Sequence, residues 1–275
     1  MKPIIVAQIS DLHIKPRGQL AYGKVDTAAA LQRCVAELNR FSPQPDLIVI
    51  SGDLADTPSP EEYDYLSTLL APLKSPFVAV PGNHDDRAMM RAALPKQPYA
   101  RPSGPLDLVR QVGELDVFGL DSSVPGRPNG RLAPETLAWL DTQLGNGSRP
   151  ALIFLHHPPF ITGIGHMDVQ NLHNADALDV ILKKHGRVKL LGCGHVHRAT
   201  ATMFGGVVTT ICPAPNHAVA LDLAAQIPPS FKVEPPAFHL HVWYPGGSGQ
   251  VVTHTVPIGN FDGPHPFFGT DGKLL

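Results

Sequence analysis

The chain has 275 residues, 43% of them apolar and 17% charged, enough for a large buried core and too apolar for a disordered chain. Its 22 Lys and Arg against 24 Asp and Glu leave a net charge of −2, which excludes the global basic field of a bulk nucleic-acid binder. Three cysteines, an odd number in a long chain, argue against a disulfide-stapled secreted scaffold and for a reducing cytoplasm.

The apolar run from Ile4 to Ile9 reads as a first strand; it is too short for a signal peptide and is followed at once by Ser10-Asp11. Short β-branched runs then alternate with stretches of helical periodicity, the pattern of an α/β protein. Strands are expected from Leu47 to Ile50, Phe77 to Val80, Val117 to Leu120, Leu152 to Leu155 and Val188 to Leu191. Helices are expected from Thr27 to Phe41, Pro60 to Leu73, Pro134 to Leu144 and Asp176 to His185. Ser59 before Pro60, with Glu62 at the third helical position, predicts an N-cap closed by a capping box.

From about Met203 the character changes to strands without helices: Val207 to Ile211, Phe238 to Trp243 and Val251 to Val256. Proline-rich turns and a glycine loop separate them, which predicts antiparallel sheet. Residues 213–236 read as an excursion over the site, and 257–275, rich in Gly and Pro, as a C-terminal tail after a domain spanning 1–256. No stretch approaches the roughly 18 apolar residues of a membrane helix.

Polar clusters fall at the ends of the expected strands: Asp11-Leu12-His13, Gly52-Asp53, Gly82-Asn83-His84-Asp85, His156-His157-Pro158-Pro159 and Gly194-His195-Val196-His197. Ligands in open α/β sheets bind beyond the carboxyl ends of the strands, so these five clusters should converge. Together they offer carboxylate, imidazole and amide donors. Two divalent cations held about 3.5 to 4 Å apart need such a set with one bridging carboxylate, and Asp53 is free to bridge. That arrangement suits displacement at phosphorus. Each motif alone has a blander reading, as a turn or a satisfied histidine; their joint order carries the weight.

The five blocks in this order resemble the calcineurin-like metallophosphoesterase superfamily. Tyr22-Gly23, Asp26, Asp86, His156 to Pro159 with Met167-Asp168, and Cys193 before Gly194 are similar to its bacterial branch of cyclic-nucleotide phosphodiesterases and glycerophosphodiesterases. The resemblance spans residues 4 to 217 and implies a four-layered αββα sandwich, two mixed sheets flanked by helices. It implies one metal held by Asp11, His13, Asp53 and His197, and a second by Asp53, Asn83, His156 and His195. Mn²⁺ and Fe are the expected ions, with Zn²⁺ or Co²⁺ able to substitute. His84 would act at the phosphate, and Asp85 would orient it or hold the loop. Tyr22 and His217 match substrate-pocket positions; Asn216 is a weaker candidate.

The resemblance further implies hydrolysis of small phosphodiesters, such as 3′,5′-cAMP or glycerophosphodiesters, by in-line attack of a metal-bound hydroxide. A homo-oligomer, dimer or larger, is expected through the C-terminal region. The rival reading is a noncatalytic protein-binding scaffold on the same fold, against which every ligand position is filled.

Overall fold

A computed structural model describes residues 2–224, 228–246 and 249–275. Residues 225–227 of the expected excursion and Gly247-Ser248 of the glycine loop lie outside the described residues.

The first half alternates strand and helix: β1 (Ile4–Ile9), α1 (Thr27–Leu38), β2 (Leu47–Ser51), α2 (Pro60–Leu70), β3 (Phe77–Val80) and α3 (Arg87–Ala93). A hairpin, β4 (Leu108–Val112) and β5 (Leu115–Leu120), leads to α4 (Pro134–Asn146) and β6 (Ala151–Leu155). Then come α5 (Gly165–Asp168), α6 (Ala175–Lys184), β7 (Val188–Cys193), β8 (Thr200–Phe204) and β9 (Val207–Ile211). A two-stranded ribbon of β10 (Ala218–Val219) and β11 (Phe231–Lys232) precedes β12 (Ala237–Trp243) and β13 (Val251–Pro257).

These strands form two mixed sheets, ordered β13-β12-β1-β2-β3 and β4-β5-β6-β7-β9-β8. Of the three strands expected in antiparallel sheet after Met203, β12 and β13 are antiparallel and complete the first sheet, β12 pairing with β1 and β13 with β12. Strand β9 instead joins the second sheet, antiparallel to β8 but parallel to β7. Side chains alternate along each strand, so each sheet has two apolar faces. Ile4, Val6, Leu47, Val49, Val117, Leu152 and Phe154 fill the layer between the sheets. Ile5, Ala7, Ile9, Ile48 and Ile50 turn outward onto Leu31, Leu38, Leu66 and Met90 of α1, α2 and α3. Ile153, Leu155 and Leu191 turn outward onto Leu140, Leu144, Leu178 and Ile181 of α4 and α6. The result is the αββα sandwich.

The main elements fall where periodicity places them, with differences at their ends. Helices α1 and α2 stop at Leu38 and Leu70, short of the expected Phe41 and Leu73. Ser59 does cap α2 by accepting from Glu62 N, but the capping box does not close. The Glu62 carboxylate reaches past Ser59 to Thr57 N at 3.0 Å. Six elements carried no clear sequence signal, among them the two-residue strands β10 and β11. Helix α3 buries only Met90, α5 is four residues long, and β4 and β8 are largely solvent-facing.

Candidate metal centre

Asp11 and Asp53 each lie two residues beyond the ends of β1 and β2; Asn83 follows β3, His156 follows β6, and His195 and His197 follow β7. Parallel pairing in both sheets brings these ends to one edge of the sandwich. Asp11, His13 and His197 offer ligand atoms within 4.8 Å of one another, and so do Asp11, Asp53 and His156, and His13, Asp53 and His84. Asp53 stands between the two halves: its Oδ2 is 3.6 Å from His13 Nε2 and 3.2 Å from His156 Nε2. Asn83 Oδ1 lies 3.1 Å from His156 Nε2.

The backbone at these positions is unusual. Among the described residues, the non-glycine residues with positive φ are Asp11, His13, Tyr22, Asp53, His195 and His197. Five of the six are expected ligands. Left-handed backbone at a residue bearing a Cβ costs on the order of 1–3 kcal/mol and persists only where its surroundings enforce it. Here Asp11 N donates to Gly52 O and His13 N to Asp53 O, while His195 N donates to Asp11 Oδ1 at 3.0 Å. Asn216 Nδ2 binds the carbonyls of both Asp11 and Leu12. Glycine is required at 52 and 82, where a Cβ would collide with the His156 ring and with the Asp53 carboxylate.

The imidazoles are oriented from behind. His156 Nδ1 donates to Ser51 O at 2.9 Å, His197 Nδ1 to His217 O at 3.2 Å, and His13 Nδ1 faces the Asp56 carboxylate at 3.2 Å. Each ring so held turns its Nε2 into the cluster, the arrangement of metal-ligating histidines. His13 Nε2 and His197 Nε2 then face each other at 3.2 Å, a contact that either a proton on one ring or a cation bound by both would satisfy. His195 Nε2 is buried without a partner. Converging oxygen and imidazole donors and an orphaned nitrogen fit two divalent cations.

Charge and burial act together here. Burial pushes the Asp53 carboxyl up, but His156 and His84 hold it well below the usual range. Burial pushes His156 down, and the Asp53 carboxylate overrides it, to about 9. Burial and then neighbouring histidines keep His195 and His197 low and neutral, as ligands must be.

The other site residues separate by geometry. His84 N donates to Asp53 Oδ1 at 2.9 Å, and its Nδ1 donates to Asp56 O at 2.7 Å. Asp85 makes no hydrogen bond to His84 among the described residues; its carboxylate accepts from Gly82 N, Leu54 N, Ala55 N and Tyr63 Oη. Those bonds tie the loop after β3 to the loop after β2. His157 has both ring nitrogens engaged, with Ser122 Oγ and Pro128 O. Asp56, which supports His13 and also pairs with Lys15, was not anticipated; a single Asp three residues after Asp53 has no motif signal.

The centre opens into a cleft of about 420 Å³ lined by His13, Asp53, Asn83, His84, His195 and His197. Tyr22, His217, Val219 and Pro229 to Phe231 form one wall, and His166, Met167 and Gln170 complete the lining. Tyr22 and Phe231 stack with centroids 5.0 Å apart, and His217 meets Tyr22 edge-on at 5.3 Å. A larger cavity of about 590 Å³, lined by Leu70, Phe77 and Leu94, sits at the other end of β3 and holds none of these donors.

Residues 4–199 match the model of the calcineurin-like phosphoesterase family. The chain is 39% identical over 274 residues to a protein of Arcobacter nitrofigilis named "Probable glycerophosphodiester phosphodiesterase GpdQ", covering 99% of this chain and all of that one. It is 34% identical over 194 residues to the 3′,5′-cyclic adenosine monophosphate phosphodiesterase CpdA of Escherichia coli, covering 70% and 69% of the two chains. A dimetal phosphatase from Danio rerio shares the fold with a TM-score of 0.67 at 15% identity, over 93% of this chain and 99% of that one. No helix among the described residues is long and apolar enough to cross a membrane. On the family match and the assembled donor set, the chain belongs to the calcineurin-like phosphoesterase family of metal-dependent hydrolases.

Proposed function

We propose that the protein hydrolyses small phosphodiesters, 3′,5′-cyclic nucleotides such as cAMP and glycerophosphodiesters among them. The observation that carries this reading is the cleft lining, which contains no Lys or Arg among the described residues. A phosphomonoester approaches a charge of −2, whereas a diester carries one negative charge and needs no cationic side chain beyond the metals. Relatives at 39% and 34% identity carrying diesterase names support the same reading.

Asp11, His13, Asp53 and His197 would hold one ion, and Asp53, Asn83, His156 and His195 the other. When bound, the pair supplies Lewis acidity and an activated water for in-line displacement at phosphorus. Mn²⁺ and Fe are the ions we favour, with Zn²⁺ or Co²⁺ as substitutes. His84 gives its Nδ1 proton to Asp56 O, so Nε2 donates to a phosphate or leaving oxygen only when the ring is protonated. Asp85 acts through the loop it ties rather than on the substrate. Tyr22 and His217 contact the diester from the cleft wall, and the 213–236 segment covers it through Val219, Ser230 and Phe231.

Buried free thiols at Cys34, Cys193 and Cys212 favour a cytoplasmic setting. Exposed Phe261, Phe267, Phe268, Leu274 and Leu275 in the tail favour a homo-oligomer, dimer or larger, which sedimentation would measure. The test of function is kcat/KM of the Mn²⁺-reconstituted protein on 3′,5′-cAMP and glycerophosphoethanolamine, with an aryl phosphodiester beside them. Turnover of either natural diester supports the reading. No turnover of any diester with both metals bound favours the noncatalytic scaffold.

A further inference from the structure

One layer behind the metal centre lies a group of buried polar side chains that the proposed reaction does not use. Gln8, Ser51 and His241, on β1, β2 and β12, are each at most 1% exposed. They share the inter-sheet face with Val6, Val49 and Trp243, which are apolar. Gln8 Nε2 donates to Ser51 Oγ at 2.8 Å and to the carbonyl of Cys193, on β7 of the facing sheet, at 2.9 Å. A carbonyl only accepts, so the amide nitrogen faces Cys193 and Gln8 Oε1 faces His241 Nε2, 3.1 Å away. His241 therefore donates from Nε2, and its Nδ1 accepts from Thr253 Oγ1 at 2.8 Å. One direction of hydrogen bonding satisfies the whole chain, from β13 across the sandwich to β7.

This chain meets the ligand-bearing strands where they leave the sheets. Gln8 stands three residues before Asp11, Ser51 two before Asp53, and Cys193 two before His195. The Ser51 carbonyl also receives His156 Nδ1 and Ser10 Oγ. There is no slack around the amide: a Cβ on Gly192 would strike Phe154 and Gln8 Oε1, and the His241 ring packs 5.6 Å from that of Phe154. We propose that Gln8, oriented by His241, is a positioning residue of the metal centre, a cross-sheet clamp that holds the Asp11, Asp53 and His195 strand ends, and through Ser51 the His156 ring, at metal-binding separation. The inference rests on the two-metal reading of the site and is independent of which diester is the substrate.

The test is Mn²⁺ affinity, by calorimetric titration of the EDTA-stripped full chain, beside the melting temperature of the stripped protein. Gln8→Leu removes both donations, His241→Phe removes the group that orients them, and Thr253→Val removes only the donor to His241. The first two should weaken Mn²⁺ binding about tenfold and the third less, in an order that does not follow melting temperature. Affinity within twofold of the parent in every folded variant, whatever their melting temperatures, overturns the inference. Should Gln8→Leu and His241→Phe fail to fold, the half-buried Thr253→Val decides alone, and unchanged affinity in it overturns the inference. A parent chain that binds no Mn²⁺ overturns the two-metal reading, and this inference with it.

Discussion

The carboxylate of Asp53 accepts the backbone N–H of His84 at 2.9 Å, so the residue placed between the two halves of the metal cluster also fixes the residue placed at the phosphate. Asp53→Asn keeps an oxygen acceptor for that N–H and removes the charge that two cations share. The variant should fold, lose at least one of two bound metals by elemental analysis, and weaken metal binding about a hundredfold. Two tightly held metals in this variant would contradict a bridging role.

His84→Ala removes the ring and leaves the backbone N–H to Asp53 in place. Metal content and melting temperature should stay at parental values while kcat falls about 10²- to 10⁴-fold, the range of a general acid or a positioned donor. Unchanged turnover takes His84 out of the mechanism.

Asp56→Ala strips His13 Nδ1 of its acceptor and Lys15 of the nearer of its two carboxylate partners, leaving it Glu62. The Asp56 carboxyl is held below its usual range: burial pushes it up, but bonds from His13 and Lys15 outweigh that. Its removal should lower affinity for one metal by about tenfold and leave the other unaffected, read as two separate steps in a Mn²⁺ titration. Equal weakening of both steps would show that Asp56 supports the whole centre rather than His13.

Strands were the most legible part of the sequence, because strands covered on both faces read as continuous apolar runs, as in Leu47 to Ile50 and Leu152 to Leu155. Helix ends were less so: nothing apolar separates Leu38 from Phe41, and the chain leaves α1 before the pattern fades. The hairpin strand β4 and the edge strand β8 face solvent and show no alternation to read. At the site, the seven candidate ligands lie in short local motifs and could be found from spacing. Asp56, Ser51 and Gln8 act by orienting other residues across the fold, and that relation exists only once the sheets are stacked. Of the two roles expected for Asp85, orienting His84 or holding the loop, its hydrogen bonds to the backbone of Leu54, Ala55 and Gly82 agree with the second.

His239, 3% exposed on β12, makes stability sensitive to acid. Burial pushes its imidazole down to about 4, below the ordinary value of an exposed histidine. Below about pH 6.5 the unfolded chain takes up a proton that the folded chain refuses, so stability falls as pH drops, by at most about 1.4 kcal/mol per pH unit, until the folded ring titrates near 4. Above pH 6.5 the group contributes no pH dependence. Urea melts in EDTA should show His239→Leu losing less stability than the parent between pH 6.5 and 4.5. Parallel acid limbs would mean that the ring titrates normally in the folded state.

The most direct measurement of the central claim is kcat/KM of the Mn²⁺-loaded chain on an aryl phosphodiester against the corresponding aryl phosphomonoester. A cleft with two metals and no lining Lys or Arg predicts that the diester is the better substrate. A monoester hydrolysed faster than the diester, with two metals bound, would contradict the account.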